Sequence, residues 1–495
     1  MIVKFTKILL TSLLTAASIA TYAQRYIQPL GRMYDLEMQA TLSADTSMHN
    51  VYSAVKPVLI PSNEVLLPKK DSLKTLQWLK KHFFDDDFLK FSSDVHNIAI
   101  NPICHFQRTY NRTESNDNKT YFLNTRGFEA YGRLGKRIYF NTEFYENQAR
   151  FTRYEDSIIN VMHGIPGQGF GKAFKTDGKD WAMVYGHISV DVNKNITVTL
   201  GNGKIFIGSG YRSVILSDLS FNYPFLRTDL KFGNFYYYVL WGYMQSDHWL
   251  YFTKGETRYK YASYHVAGWK PTPKLELTLV EGVMWKNFNN DGVYKYSPNA
   301  LMGVPVLGIP LLANGFNDDN RVQIGFDVNY NPIKNFKLYG QYNYQGENTQ
   351  VSDEAFYGVQ AGIHWFDFTF GTIEGLNTHL QLEYNYSNID GGGNSSDFWN
   401  YGYPLTTPNV VNNGFDEIIL AANIEYRRVV AEGMWQHTNW SDRKSLTLRY
   451  MLNPKTKWNI YLTMLQRTVD TRWHYDNKYI VVGMSICPQN FYFDF

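Results

Sequence analysis

The stretch that decides the fold spans residues 378–386 and reads Thr378-His379-Leu380-Gln381-Leu382-Glu383-Tyr384-Asn385-Tyr386. Its side chains alternate: His, Gln, Glu and Asn stand at the odd positions, whereas Leu, Leu, Tyr and Tyr stand at the even ones. Successive side chains of a β-strand point to opposite faces, so the segment predicts a strand with one polar and one apolar face. A membrane-barrel strand has this pattern, with lipid on one side and the lumen on the other. Because a soluble β-sandwich alternates too, alternation alone leaves both architectures open.

The lengths of the connections separate these two architectures. From about residue 96 onward, tight turns rich in Gly, Asn and Pro lie at 134–136, 193–195, 233–234, 271–274, 331–334 and 453–456. Between them lie long connections at 111–119, 151–180, 209–225, 246–257, 287–320, 346–355, 388–416, 438–443 and 470–475. Short turns at one rim and long loops at the other are typical of a Gram-negative outer-membrane barrel, here of about 18 antiparallel strands. The termini and the tight turns are then expected on the periplasmic side, and the long loops outside the cell.

Composition agrees with an all-β membrane barrel. Aromatic residues make up 17% of the 495 residues, and Tyr and Trp suit a lipid–water interface. Mean hydropathy is −0.36, and beyond the N-terminus no apolar run approaches the ~18–20 residues of a membrane helix. A chain that crosses a membrane without such helices must form a closed barrel. The formal net charge of +3 includes no basic block, which makes nucleic acid an unexpected partner.

The N-terminal residues predict export. Lys4 and Lys7 flank a short apolar run from Ile8 to Ile19, and Ala23 ends a small-residue cleavage site. These features indicate a signal peptide over residues 1–23. The predicted domains are therefore this peptide, an N-terminal region over 24–95 and a barrel over 96–495.

Residues 24–95 differ from the rest of the chain. Apolar side chains recur at positions 73, 76, 79 and 83, which predicts an amphipathic helix beginning at Asp71 or Ser72. We expect a small helical region on the periplasmic side. The alternative is a plug inside the barrel lumen.

The C-terminal residues suggest a last strand with aromatic side chains on one face. Phe491, Phe493 and Phe495 stand at every second position. Such an ending resembles the feature by which the outer-membrane assembly machinery recognises barrels. The alternative is an ordinary aromatic strand end.

One segment carries a family resemblance. It is Gly201-Asn202-Gly203-Lys204-Ile205-Phe206-Ile207-Gly208-Ser209-Gly210-Tyr211-Arg212-Ser213-Val214-Ile215-Leu216-Ser217-Asp218, followed by Asn222-Tyr223-Pro224-Phe225. It resembles the Wzi-type capsule-assembly outer-membrane proteins, and more narrowly a Bacteroidota branch described as RemB-like gliding-motility proteins. A second similar stretch includes Met48-His49-Asn50 and Val55-Lys56-Pro57. The resemblance implies an 18-stranded barrel with a small periplasmic helical region, acting as a lectin that retains capsular polysaccharide.

The same segment contains the first set of candidate site residues. Two glycines allow the chain to turn sharply off a strand, and the residues after them would then narrow the lumen. No GK[ST] ending is present, so the segment is not a phosphate-binding loop. The candidates for binding polysaccharide or constricting the lumen are Gly208, Gly210, Tyr211, Arg212, Ser213 and Asp218. The alternative is a structural constriction without a ligand of its own.

A second set of candidates lies in the long loops. Aromatic rings pack on the apolar faces of sugars, and charged side chains pair with their hydroxyl groups. This chemistry singles out Arg153, Tyr154, Trp399, Tyr401 and Tyr403 as glycan contacts. The alternative assigns these residues to the aromatic girdle and to packing within the loops.

Other functions have weaker support. We expect no catalysis, because the sequence has no G-x-S-x-G motif and no spacing that pairs a nucleophile with a base. No cofactor or metal site is predicted, and a disulfide between Cys104 and Cys487 is disfavoured because alternation places them on opposite faces. The favoured function is non-catalytic binding or organisation of surface polysaccharide by a barrel embedded in outer-membrane lipid. The alternatives are a diffusion porin or transporter, and a structural component of a gliding-motility or secretion complex.

Overall fold

The computed structural model of the chain describes residues 25–27, 30–44, 51–61, 75–93, 95–113, 119–162, 164–245, 259–286, 306–308, 320–346, 356–368, 373–388, 415–470 and 475–494. The predicted signal peptide lies outside these residues. Before the barrel come six short elements: β1 (Arg25–Ile27), α1 (Arg32–Ala44), β2 (Val55–Lys56), β3 (Leu59–Pro61), α2 (Thr75–Phe84) and β4 (Leu89–Ser92). The helix predicted from residue 71 is thus present as α2, which begins at Thr75.

A closed antiparallel barrel of 18 strands forms the wall of the molecule, as predicted. Its strands in spatial order are β5 (Asn97–Asn111), β6 (Tyr121–Leu134), β7 (Ile138–Arg150), β9 (Gly178–Asn193), β10 (Ile196–Gly203), β12 (Tyr223–Phe232), β13 (Phe235–Gln245), β14 (Tyr259–Thr272), β15 (Leu275–Lys286), β16 (Asn320–Ile333), β17 (Phe336–Gly346), β18 (Phe356–Phe366), β19 (Leu376–Ser387), β20 (Phe415–Tyr426), β21 (Val429–Thr438), β22 (Ser441–Asn453), β23 (Trp458–Val469) and β24 (Tyr475–Ile486). Strand β24 closes the barrel on β5, from Tyr479 opposite Asn111 to Ile486 opposite Cys104. The short strands β4, β8 (Lys172–Phe174) and β11 (Phe206–Ile207) pair with β5, β9 and β2 respectively.

The polar face of the wall points inward. In β19, His379, Gln381, Glu383 and Asn385 are buried, whereas Leu382 and Tyr384 on the other face are exposed. Large apolar side chains are exposed on the outward face of strands all around the barrel, which is the arrangement that lipid requires. The alternation predicted from residues 378–386 is therefore confirmed. Among the described residues, no helix is long and apolar enough to cross a membrane.

The two rims of the barrel differ in their connections, largely as predicted. Tight turns join strands at 135–137, 194–195, 233–234, 273–274, 334–335, 427–428 and 454–457, and we call this end the turn rim. Positive φ angles at Gly135 (68°) and Gly233 (58°) show why glycine suits two of these turns. The opposite end, with the long connections, is the loop rim. The prediction of a long loop at 438–443 is wrong, since only residues 439–440 separate β21 from β22. The Thr438 hydroxyl accepts a 2.9 Å hydrogen bond from Ser441 N, and this bond closes the turn.

Glycines in the wall make room for inward-facing tyrosine rings. Tyr236 stands directly opposite Gly268, and Tyr339 and Tyr461 stand in the same way opposite Gly362 and Gly483. A Cβ atom at residue 268 would lie 1.8 Å from Cζ of Tyr236. The ring has little room to move, because it packs 4.0 Å from the ring of Tyr52 and its hydroxyl is 2.7 Å from that of Thr278.

Gly268→Ala is therefore expected to lower the free energy of unfolding by about 1–3 kcal/mol through overpacking. Gly433→Ala in β21 is the matched control, because a Cβ atom there has no heavy atom within 4 Å. Chemical unfolding in detergent, followed by tryptophan fluorescence, measures both variants. Equal stabilities of the two variants would contradict the proposed role of the glycine.

Two described stretches of the N-terminal region, residues 32–44 and 51–58, pack against the lumen instead of forming a separate body. Residues 51–58 are all buried, and strand β2 pairs with β11 inside the barrel. The backbone N of Ala54 donates to Glu276 of the wall at 3.2 Å, and Arg227 donates to the Pro57 carbonyl at 2.9 Å. In α1, the carbonyl of Ser43 accepts a bond from Asn335 in a tight turn. Residues 32–44 and 51–58 thus fill the lumen from the turn rim, which agrees for these residues with the plug alternative.

The chain end does not form the predicted aromatic strand. Strand β24 ends at Ile486, and residues 487–494, which we call the tail, leave the wall and run into the lumen. Phe491 packs against His105, with ring centroids 5.6 Å apart, and Phe493 packs against Phe151 at 5.1 Å. The two aromatic side chains therefore face other lumen residues and not lipid. Phe495 lies outside the described residues.

Candidate binding site in the lumen

The segment that carries the family resemblance folds into the lumen. Residues 204–222, the inward loop, connect β10 to β12, and most of their side chains are buried. Ile207 and Leu216 are fully buried in an apolar cluster with inward residues of β12–β15. Burial of each such side chain stabilises the folded state by ~1.5–3 kcal/mol. The constriction considered in the sequence analysis is thus present.

The wall uses its polar side chains to bind the backbone of this loop. Gln341 donates to the Ile207 carbonyl at 2.8 Å and accepts from Val214 N at 3.0 Å. Gln360 donates to the Arg212 carbonyl, and Gln323 donates to the Ile215 carbonyl. These bonds satisfy backbone groups that water cannot reach, so they hold the loop in one position.

The two candidate glycines are required by the close approach of the loop to the wall. A Cβ atom at Gly210 would lie 2.6 Å from both Gln360 Oε1 and Glu383 Oε2. Gly208 has a φ of 126°, and a Cβ atom there would lie 2.1 Å from Nε2 of Gln341. Their role is structural, because their positions contact the wall directly.

Arg212 is the centre of a buried charge network. Its guanidinium donates to both carboxylate oxygens of Glu417 in β20, at 3.2 and 3.0 Å, and to Asp494 of the tail at 3.4 Å. Asp494 also forms an ion pair with Arg32 of α1 and accepts a hydrogen bond from the Tyr211 hydroxyl. The network therefore joins α1, the inward loop, the tail and the wall.

Opposing effects act on the Asp494 carboxyl group. Burial disfavours its charged form, but the positive charges of Arg32, Arg212 and Arg443 outweigh burial. They hold the pKa of this carboxyl well below its usual range, so Asp494 is ionised at neutral pH.

The remaining candidates of the first set also contact other parts of the chain. Ser213 is fully buried and donates to the Ile207 carbonyl. Asp218 accepts a 2.7 Å bond from the hydroxyl of Tyr492 in the tail. Tyr211, Gly210 and Asp218 nevertheless line the open part of the lumen, whereas Gly208, Arg212 and Ser213 do not.

A helix of the second long connection also packs inward. Helix α3 (Arg153–Met162) is capped by Thr152, whose backbone N and hydroxyl both donate to Glu155 at 2.9 Å. Arg153 is exposed, as a glycan contact would be. Tyr154 is buried instead, because its ring lies 3.9 Å below the guanidinium of Arg467 in the lumen. Trp399, Tyr401 and Tyr403 lie outside the described residues.

The two cysteines are free thiols, so the disfavoured disulfide is absent. Cys104 lies on the outward face of β5, and Cys487 is buried on the inward side, where its thiol donates to Glu129 at 3.2 Å. Burial raises the pKa of the Cys487 thiol, as does the neighbouring Glu129. The opposite faces predicted from alternation are confirmed.

Helix α1, the inward loop and the tail leave a cavity of about 850 Å³ along one side of the lumen. Residues of β18–β24 and β5–β7 line its wall, and α1, the inward loop and the tail line the other side. Its lining extends from Lys457 near the turn rim to Arg443 and Tyr154 near the loop rim. The cavity is lined by charged side chains together with aromatic and hydroxyl-bearing ones, which include Tyr461, Phe491 and Thr463.

This cavity is the main feature that the sequence alone did not reveal. Its polar lining comes from strands that are far apart in sequence from the inward loop, and the tail that borders it was predicted to be a strand. Within the part of the chain that the structure describes, no group of three or more His, Cys, Asp and Glu side chains is arranged to hold a metal ion.

The sequence matches no known family model and no curated protein. Among solved structures, the chain is similar to Wzi, an outer membrane protein involved in group 1 capsule assembly in Escherichia coli and a carbohydrate-binding β-barrel. Identity is 12%, the TM-score is 0.51, and the match covers 94% of this chain and 100% of that one. The barrel fold is similar to that of Wzi. Two further structures are less similar: OccAB1 of Acinetobacter baumannii (9% identity, TM-score 0.45, 80% and 97% coverage) and the outer membrane protein OpdK of Pseudomonas aeruginosa (7%, 0.45, 79% and 98%).

Proposed function

We propose that the chain is an outer-membrane barrel that binds surface polysaccharide without catalysing a reaction. The observation that carries this proposal is the occupied lumen. Helix α1, the inward loop and the tail meet there in one ion-paired network, and they leave a cavity instead of a wide channel. The Wzi barrel, which has a similar fold, is described as carbohydrate-binding.

The cavity has a size and a lining that suit a sugar. Ligand pockets typically enclose ~300–1,000 Å³ and combine aromatic or apolar surface with a few placed polar groups. Tyr461 and Phe491 supply rings, and Thr447, Thr463 and Gln107 supply hydroxyl and amide groups. In the proposed orientation, the turn rim faces the periplasm and the loop rim with exposed Arg153 faces the outside. A role in capsule assembly belongs to this proposal as its cellular setting, whereas a structural role in a gliding-motility or secretion complex is an alternative to it.

The test combines a glycan array probed with the purified barrel and measurement of cell-bound polysaccharide in a deletion strain. We expect binding to acidic or neutral surface glycans on the array and less polysaccharide retained by the mutant cells. If the barrel bound no glycan and the cells kept all of their polysaccharide, the proposal would be rejected.

One observation favours a second candidate, a diffusion porin or transporter. The cavity lining includes residues near both rims, from Lys457 to Arg443. A narrow path for small solutes along β20–β24 would have this lining. Channel recordings, described in the Discussion, separate this candidate from a closed binding barrel.

A further inference from the structure

A row of hydrogen-bond donors crosses three neighbouring strands at the loop-rim end of the cavity. Gln436 of β21 stands opposite Arg443 of β22, and Arg443 stands opposite Arg467 of β23. All three side chains are on the inward face, and Gln436 and Arg467 are 2% and 5% exposed. Arg443 and Arg467 both line the cavity. Like charges directly opposite each other destabilise a sheet unless something compensates them.

Each member of this row has a buried N–H group without an acceptor among the described residues. These groups are Nε2 of Gln436, Nε of Arg443 and Nη1 of Arg467. The row also makes three bonds to the protein: Arg443 donates to Gln436 Oε1 at 2.8 Å and to Met434 Sδ at 3.8 Å, and Arg467 donates to the Phe493 carbonyl. The row thus has three unused donors and no unused acceptor. A group of this kind is suited to bind an anion, which accepts hydrogen bonds and donates none.

The nearby carboxylates are paired with other arginines. Asp494 forms ion pairs with Arg32 and Arg212, and Glu417 accepts two bonds from Arg212. No carboxylate of the described residues lies within ion-pair distance of Arg443 or Arg467. By contrast, Arg449 is paired with Glu432 at 3.0 Å. It lies three positions further along the inward face of β22 and faces the same cavity. The row therefore holds two guanidinium groups without a direct ion pair, and Asp494 acts on Arg443 only from beyond ion-pair distance.

The side chain of Arg467 is also held in place for binding. The ring of Tyr154 lies 3.9 Å below the guanidinium of Arg467, and the Phe493 carbonyl fixes another of its nitrogens. A guanidinium fixed in this way loses little conformational entropy when it binds a planar carboxylate.

We propose that Arg443 and Arg467 form a binding site for the carboxylate group of an acidic saccharide held in the lumen cavity, with Gln436 positioning Arg443. This inference rests on the proposed saccharide-binding function and specifies its ligand class, a sugar chain that contains uronic acids. The rings and hydroxyl groups that line the cavity contact the sugar, and the donor row binds its charged group.

The experiment is isothermal titration of the full-length barrel in detergent with trigalacturonic acid and with neutral maltotriose. The wild type is expected to prefer the acidic probe. Arg443→Gln and Arg467→Gln should each weaken binding of the acidic probe by about 10- to 100-fold, because a hydrogen bond to a charged group is lost. Binding of maltotriose should be nearly unchanged.

Two controls separate the charge at this site from general effects. Lys444→Gln removes the same charge from the next residue of β22, whose side chain is 60% exposed on the outward face, and should bind like the wild type. Arg443→Lys keeps the charge and should retain most of the preference for the acidic probe. Heat-dependent mobility on gels confirms that each variant is folded.

The outcomes distinguish this site from the wider proposal. Equal binding of the acidic and neutral probes, or an acidic preference that survives in both glutamine variants, would overturn the carboxylate site while leaving saccharide binding intact. Displacement of the acidic probe by equimolar inorganic phosphate would also overturn it, since the row would then hold any small anion. Failure to bind either probe or any glycan on the array would refute the proposed function itself.

Discussion

Replacing Arg212 by methionine is expected to lower the free energy of unfolding by about 3–5 kcal/mol, because it leaves buried carboxylates without their partner. Glu417 is fully buried and receives two hydrogen bonds from this guanidinium, and Asp494 receives a third. Methionine has a similar length but offers neither charge nor donors. The loss should also loosen contacts of α1 and the tail, since both join the network through Asp494.

Unfolding by guanidinium in detergent, followed by tryptophan fluorescence, measures this loss. Arg108→Met is the matched control, because Arg108 is exposed on the outward face of β5 and should change the stability by less than ~0.5 kcal/mol. Adding Glu417→Gln to the Arg212 variant should cost less than the sum of the two single changes, as expected for partners in one network. A stability equal to that of the Arg108 control would show that the buried network does not hold the lumen segments together.

A chain that ends at Cys487 is expected to let small sugars cross the membrane. The wall is complete at Ile486, so loss of residues 488–495 leaves every strand pair of the barrel in place. The tail, however, fills the space between α1, the inward loop and the wall, and its Asp494 holds Arg32 and Arg212. Barrels of 16–18 strands enclose an aqueous channel when nothing fills them.

Liposome swelling in arabinose or sucrose measures this opening. The truncated barrel should swell clearly faster than the full-length protein, and Asp494→Asn should give an intermediate rate because the tail remains but its charge is lost. Heat-dependent gel mobility confirms that the truncated barrel is folded. A folded truncated barrel with the swelling rate of the full-length protein would mean that the tail has no part in closing the lumen.

The barrel wall could be predicted from the sequence because the patterns that define its strands and turns are local. The alternation in residues 378–386 and the Gly, Asn and Pro residues in the turns depend only on neighbours in the chain, and both are confirmed. The turn at 439–440 was missed because it is closed by a hydrogen bond that the Thr438 hydroxyl accepts from Ser441 N, and not by glycine or proline.

The contents of the lumen could be predicted only in part. The glycines at 208 and 210 indicated an inward constriction, and this is present. The partners of Arg212 could not be identified, because Glu417 and Asp494 lie 205 and 282 residues away in sequence. The tail was predicted to be a strand because phenylalanine at every second position suits a lipid-facing strand. The same pattern is equally compatible with packing against apolar residues in the lumen. The donor row likewise depends on the register of three strands, which only the folded barrel fixes.

The most direct test of a closed, ligand-holding lumen is single-channel recording of the full-length barrel in planar lipid bilayers. We expect no steady large channels, because α1, the inward loop and the tail occupy the lumen. Stable conductance steps like those of general diffusion porins would contradict the closed lumen and favour the porin alternative.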